Sequence, residues 1–118
     1  MATAWSNRAR AAGLLLLAGT DVGNPYVIAG WSLHRELELL VEAGLSPLAA
    51  LQAATLNPAR FLEATDSLGT VAEGKLAELV LLDANPLADI RNTRRIRAVV
   101  RNGKLYDRTA LGALLTRN

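Results

Sequence analysis

The spacing of apolar positions changes from one stretch of the chain to the next, and each change marks an element. Residues 14–18, LLLLA, are continuously apolar. A short run without alternation predicts a strand covered on both faces, the pattern of a parallel sheet in an α/β protein. Upstream, AWSNRARAAG predicts a helix over 4–12 closed by Gly13. Downstream, GTDVGNP is loop by composition. Leu33, Leu37, Leu40 and Val41 then recur at helical spacing, with Glu36, Glu38 and Glu42 on the other side. They predict a helix over 33–43, capped by Ser32 and ended by Gly44. Ser46-Pro47 and Asn57-Pro58 each set a capping side chain before a proline at the first helical position. Two more helices follow from them, over 47–55 and 58–64.

After Leu68 the pattern turns to β. Glu73-Gly74 reads as a turn, Leu79–Asp83 as a strand, and RAVVRNGKLYD as two strands around Asn102-Gly103. An Asn-Gly pair between apolar runs is the strongest short-range hairpin signal. Thr109 is placed to cap a last helix over 110–116. The chain therefore divides near residue 66. Residues 1–66 hold strand 14–18 and the helices, and 67–118 hold a small antiparallel sheet with a terminal helix. Strand 14–18 has no parallel partner in its own half. That orphan is the chief physical oddity of the sequence.

Composition bounds the chemistry. A chain of 118 residues, 51% hydrophobic and only 4% aromatic, is the size of one domain with an aliphatic core. With no cysteine there is neither a disulfide nor a thiolate metal site, and the single histidine, His34, cannot make a multi-histidine centre within one chain. The net charge of +2 hides an asymmetry: Arg91 to Arg108 carries seven basic residues against one acid, Asp107. Such a block fits nucleic acid, or else the wet side of a strand whose arginines alternate with Ile96, Ala98, Val99 and Val100. Without an aromatic platform the strand reading leads, and a basic-surface nucleic-acid binder is kept only as an alternative. Arg8, Arg10 and the leucines sketch a secretory signal, but Gly13 interrupts the apolar run. The run also falls far short of the approximately 18–20 apolar residues that span a bilayer. A cytoplasmic chain without a membrane anchor is expected.

Asp21 is the candidate functional residue. On its residues alone, one carboxylate after an apolar run reads equally as a turn residue in TDVGNP or as a group held up to meet a metal. His34, beside Leu33 and Arg35 on the amphipathic helix, reads as a packing or surface residue ahead of a ligand. Tyr26 and Trp31, flanking the loop, read as packing residues ahead of a substrate wall. Gly19 and Gly23 serve backbone geometry. Glu73-Gly74-Lys75 is a turn; the glycine spacing of a phosphate loop is missing.

The order of AGTD, LHRELELLVEAGLSPLAALQAATLNPARFL, LGTVAEGKLAELVLLDANPLADI and VVRNGKLYD resembles the C-terminal part of the amidohydrolase superfamily, in its imidazolonepropionase-like and prolidase-like branch. The resemblance runs from about Leu14 to Asp107. It implies an α/β fold: a fragment of a metal-dependent (β/α)8 barrel, contributing the last strand and helices, followed by the C-terminal strands of a small β-sandwich. Asp21 then stands where the family's last-strand aspartate binds a divalent metal and takes a proton from the attacking water. The family's His-x-His pair and its further metal ligands have no counterpart in this chain, and Glu78 departs from the family's Gly-Lys-x-Ala-Asp-Leu run. The resemblance implies zinc or another divalent metal in the complete enzyme and none held by this chain alone. Two functions are expected from it: part of an enzyme hydrolysing amide or cyclic amide C–N bonds, inactive alone, or a self-associating module derived from one. The partner in either case is a second copy meeting at residues 14–18 or a complementary barrel fragment.

Overall fold

The computed structural model describes residues 2–116, so residues 1, 117 and 118 of the two expected halves lie outside the described residues. Four helices come first: α1 (Ala2–Ala11), α2 (Trp31–Glu42), α3 (Pro47–Ala54) and α4 (Leu56–Phe61). A three-stranded antiparallel sheet follows, of β1 (Leu79–Leu82), β2 (Ile96–Arg101) and β3 (Lys104–Tyr106) in that spatial order. A 3-10 helix, Ile90–Arg94, precedes β2, and α5 (Arg108–Leu115) ends the chain. The fold is mixed α/β with a small antiparallel sheet. No helix among the described residues is long and apolar enough to cross a membrane.

Helix ends follow backbone chemistry closely. After α1, Gly13 takes φ 73°, its N–H bonds to the Arg10 carbonyl and that of Leu14 to the Ala9 carbonyl. These paired bonds satisfy carbonyls that the helix leaves without partners. Gly44 and Leu45 repeat the motif on Val41 and Leu40 after α2. Glu63 and Ala64 repeat it on Arg60 and Ala59 after α4, this time with Glu63 itself at φ 53°. Ser46 caps α3, accepting the Ala49 N–H at 3.2 Å, with Pro47 in the first turn.

Three expected caps are corrected. The Ser32 hydroxyl accepts the Ile28 N–H at 2.8 Å, so α2 starts earlier, after Gly30. Asn57 caps nothing: its amide donates to the Leu16 carbonyl at 2.9 Å, and α4 begins at Leu56 and stops at Phe61. Asp107 displaces Thr109, taking the Ala110 N–H at 2.8 Å, which starts α5 at Arg108. Ser32 and Asn57 took loop partners instead of capping, and Asp107, two residues earlier, supplied the cap in place of Thr109.

Residues 14–18, expected as a strand, form none within this chain. Residues 14–20 carry no ladder. A strand is made by pairing with a neighbour, and these residues instead receive single bonds from helices: Asn57 to Leu16, and the Ala18 N–H to the Ala53 carbonyl at 2.8 Å. The hairpin holds as expected, with Asn102 and Gly103 at φ 50° and 71° between Arg101 and Lys104, the double positive φ that a two-residue loop requires. Glu78 braces it, its carboxylate accepting the Asn102 N–H at 2.9 Å. Lys75 ties the preceding loop, donating to the Thr65 carbonyl and the Thr70 hydroxyl, each at 2.6 Å.

The core is small. Leu37, Ala50 and Ile90 form its centre, joining α2 and α3 to the 3-10 helix, with Leu40, Val41, Leu51 and Ala54 packed around them.

Candidate functional site

Two polar groupings stand out, and they are separate. The first surrounds Asp21. Its segment is held from below at three points, one from each of three helices: Leu16 by Asn57 of α4, Ala18 by Ala53 of α3, and Gly19 by Glu36 of α2. The last is a charge-assisted bond, Gly19 N–H to Glu36 Oε1 at 2.7 Å. Asp21 follows, exposed, at φ 53°. Aspartate tolerates this left-handed region better than most residues because its short side chain bonds locally. Here the Asn24 amide donates to Asp21 Oδ2 and also to the Asp21 carbonyl at 3.2 Å. Asp21 is thus a turn residue and a displayed carboxylate at once. Oδ1 has no partner among the described residues.

The second grouping lies between α2 and the 3-10 helix. Glu38, buried at 8% exposure, takes Arg35 on Oε2 at 3.1 Å and Arg94 beside Oε1 at 2.7 Å. The Arg94 contact is an ion pair whose N–H is not aligned, so Oε1 is charge-compensated without a formal hydrogen bond. Arg94 also lies 5.2 Å from the centre of the Trp31 ring. His34 Nδ1 sits 3.0 Å from the Thr93 hydroxyl, and that hydroxyl gives its own proton to the Ile90 carbonyl. The network therefore assigns the proton to Nδ1, with the imidazole donating to Thr93. Burial first, and then Arg94, push the His34 pKa below its usual value, against a smaller opposing pull from Glu38. This grouping is a packing device joining two elements, in line with the expectation for His34. Trp31 packs against Arg94, whereas Tyr26 does not pack: its ring is fully exposed, at φ 70°.

A divalent metal finds too few donors here. Among the described residues no three His, Cys, Asp or Glu side chains come together to hold an ion. Asp21 offers one carboxylate, already engaged by Asn24, whereas a catalytic zinc usually takes three protein ligands. The described residues do not by themselves fit the metal.

The basic segment resolves partly into pairs: Arg91 with Asp89 at 2.7 Å, Arg94 with Glu38, and Arg97 with Asp83 at 3.7 Å. The residues that the spacing pattern missed are Glu36 and Asn57. Both sit on helices, and periodicity alone assigns Glu36 to the solvent side. Nothing short of the three-dimensional path shows that it meets the backbone of residue 19.

Residues 5–106 match the amidohydrolase family. The chain belongs to that family. Its amidohydrolase relatives include adenine deaminase 2 of Jannaschia sp. (strain CCS1), 46% identical over 55 residues, which covers 47% of this chain and 9% of that protein. Another is ochratoxinase of Aspergillus niger, 33% identical over 108 residues, covering 86% of this chain and 21% of that one. Among solved structures, a putative prolidase from Bifidobacterium longum superposes with a TM-score of 0.81 at 38% identity, covering 96% of this chain and 29% of that chain. A Xaa-Pro dipeptidase with bound methionine in its active site gives 0.78 at 31% identity, covering 89% and 25%. The chain thus spans about a fifth or less of these two curated relatives and just over a quarter, or a quarter, of these solved chains.

Proposed function

We propose that this chain is the C-terminal part of a metal-dependent (β/α)8 amidohydrolase that hydrolyses amide or cyclic amide C–N bonds, and that it is inactive alone. The observation that carries the reading is the continuous family match over residues 5–106, with Asp21 displayed at the end of the anchored segment. In this reading residues 14–18 are the last barrel strand, laddered only when its neighbour is present, and β1 to β3 belong to a sandwich. Asp21 supplies one ligand to a zinc or other divalent centre, and barrel strands outside this chain supply the rest. The named activities of the relatives differ, so the substrate stays at the level of the bond.

The test has two parts. Purified chain, with or without added zinc, is expected to hydrolyse no Xaa-Pro dipeptide. Grafted in place of the matching segment of the Bifidobacterium longum relative, it is expected to give activity and bound metal, both lost in Asp21→Asn. Turnover by the chain alone that disappears in Asp21→Ala would defeat the first half. A soluble graft whose metal content and activity ignore Asp21→Asn would defeat the second.

One observation favours a second reading, a self-associating module. Leu14, Leu15 and Leu17 are all exposed, although they belong to the most apolar stretch of the chain.

A further inference from the structure

We propose that Glu36 is a positioning residue for Asp21, the entry half of a clamp by which one face of α2 fixes both ends of the 19–30 loop. The inference rests on the reading of Asp21 given above.

The exit half is Ser32. Its hydroxyl accepts the Ile28 N–H at 2.8 Å, while its own N–H donates to the Ile28 carbonyl at 2.9 Å. The entry half is Glu36, which holds the Gly19 N–H at 2.7 Å, two residues before Asp21. Ser32 and Glu36 are four residues apart on one helix, so their side chains rise from the same face. One rigid element therefore grips the loop where it starts and where it returns.

Beyond the Ala18 N–H bond to the Ala53 carbonyl one residue earlier, other forces do little at the entry. A Cβ at Gly19 would meet nothing within 4 Å, so no side-chain packing at that position confines it. Leu15, Leu17 and Tyr26 are exposed and give the loop little apolar contact. Asp21 is held in the left-handed region by a turn whose own bonds, from Asn24, are local and travel with it. Those bonds shape the turn without fixing where it sits. The Glu36 bond reaches across 17 residues and ties the turn to the helical body. A carboxylate acceptor makes that tie stronger than a neutral one would.

The test uses the 118-residue chain and the graft described above. In the chain, Glu36→Ala is expected to speed hydrogen exchange at the Gly19 amide about tenfold or more, the loss of one bond to a charged acceptor. The Ala18 and Leu45 amides, held by the Ala53 and Leu40 carbonyls, are expected to stay unchanged and so report an intact fold. Glu36→Gln keeps an acceptor oxygen and is expected to keep Gly19 within about threefold of the parent. In the graft, Glu36→Ala is expected to lower kcat about tenfold to a hundredfold with KM little changed, as a small misplacement of a reacting group does, and Glu36→Gln to restore most of it. Unchanged Gly19 exchange in Glu36→Ala overturns the proposal. So does a graft that keeps its full kcat after Gly19 has been released. An active, metal-loaded Asp21→Asn graft sinks the metal-ligand reading instead and leaves the amide measurements to judge the clamp.

Discussion

Gly69 sits at φ 91°, and a side chain there would place its Cβ 2.7 Å from that of Ala59 and 3.2 Å from the Leu56 Cα. Both neighbours belong to α4 and neither can swing aside, since one is a bare methyl and the other backbone. Gly69→Ala combines backbone strain with overpacking and is expected to destabilise the chain by about 2–4 kcal/mol, read as a lower urea midpoint at constant m-value. Glu63 presents the opposite case. It occupies, at φ 53°, the helix-ending position that Gly13 and Gly44 fill after α1 and α2. Glu63→Gly removes the steric penalty while adding unfolded-state freedom, for a net gain of about 0.5–1 kcal/mol in the same measurement. A loss there would mean that the Glu63 side chain contributes more than its backbone costs. The glycine ends were legible in the sequence because only one residue type is free at such a position. The Glu63 end was not, because a glutamate announces nothing.

At the scale of elements, legibility followed the range of the interaction. The Asn102-Gly103 hairpin and the Ser46-Pro47 start are written in adjacent residues and appear where the pattern puts them. Ser32, Asn57 and Thr109 carried the same capping chemistry, yet the partners that decide were Ile28, Leu16 and the competing Asp107. The candidate site divides the same way: Asp21 could be picked out from a local motif, but Glu36 meets Gly19 from 17 residues away and Asn57 meets Leu16 from 41. The α2 contact with the 3-10 helix is likewise long-range, and it carries a pH dependence. His34 faces Thr93, Arg94 and Glu38, and its pKa in the folded chain lies below the ordinary 6.5. The unfolded chain therefore binds a proton more readily in the interval between the two values. Stability is full above pH 6.5, falls as pH drops from there through the folded pKa, and then levels off. Urea midpoints measured from pH 7.5 down to about 5, above the usual carboxylate range, are expected to show this fall and to lose most of it in His34→Gln. An unchanged slope in that variant would remove His34 as its source.

For the molecule as a whole the difficulty is unfilled apolar surface. Only eight hydrophobic residues are buried among those described, and five of them are alanine. Meanwhile Leu14, Leu15 and Leu17 are 63%, 44% and 44% exposed, and Val80, Leu81 and Leu105 of the sheet are exposed as well. Burying two such leucines is worth about 3–6 kcal/mol, against a net stability of about 5–15 kcal/mol for a typical domain. The backbone of 14–19 has its helical anchors but no ladder, and an apolar extended segment without a ladder invites pairing with another chain. A two-fold pairing of this segment closes on itself, whereas a complementary barrel fragment covers the same surface in the enzyme reading. The chain on its own is therefore expected to form a dimer or higher oligomer at micromolar concentration, with residues 14–18 in the interface. Light scattering measures the mass, and Leu15→Lys with Leu17→Lys shifts it toward monomer if the interface is placed correctly. Both side chains are already exposed, so the substitutions disturb little inside one copy. A parent chain that stays monomeric, with the amides of 14–18 strongly protected from exchange, would show that the segment finds its partner within one chain and would end this proposal.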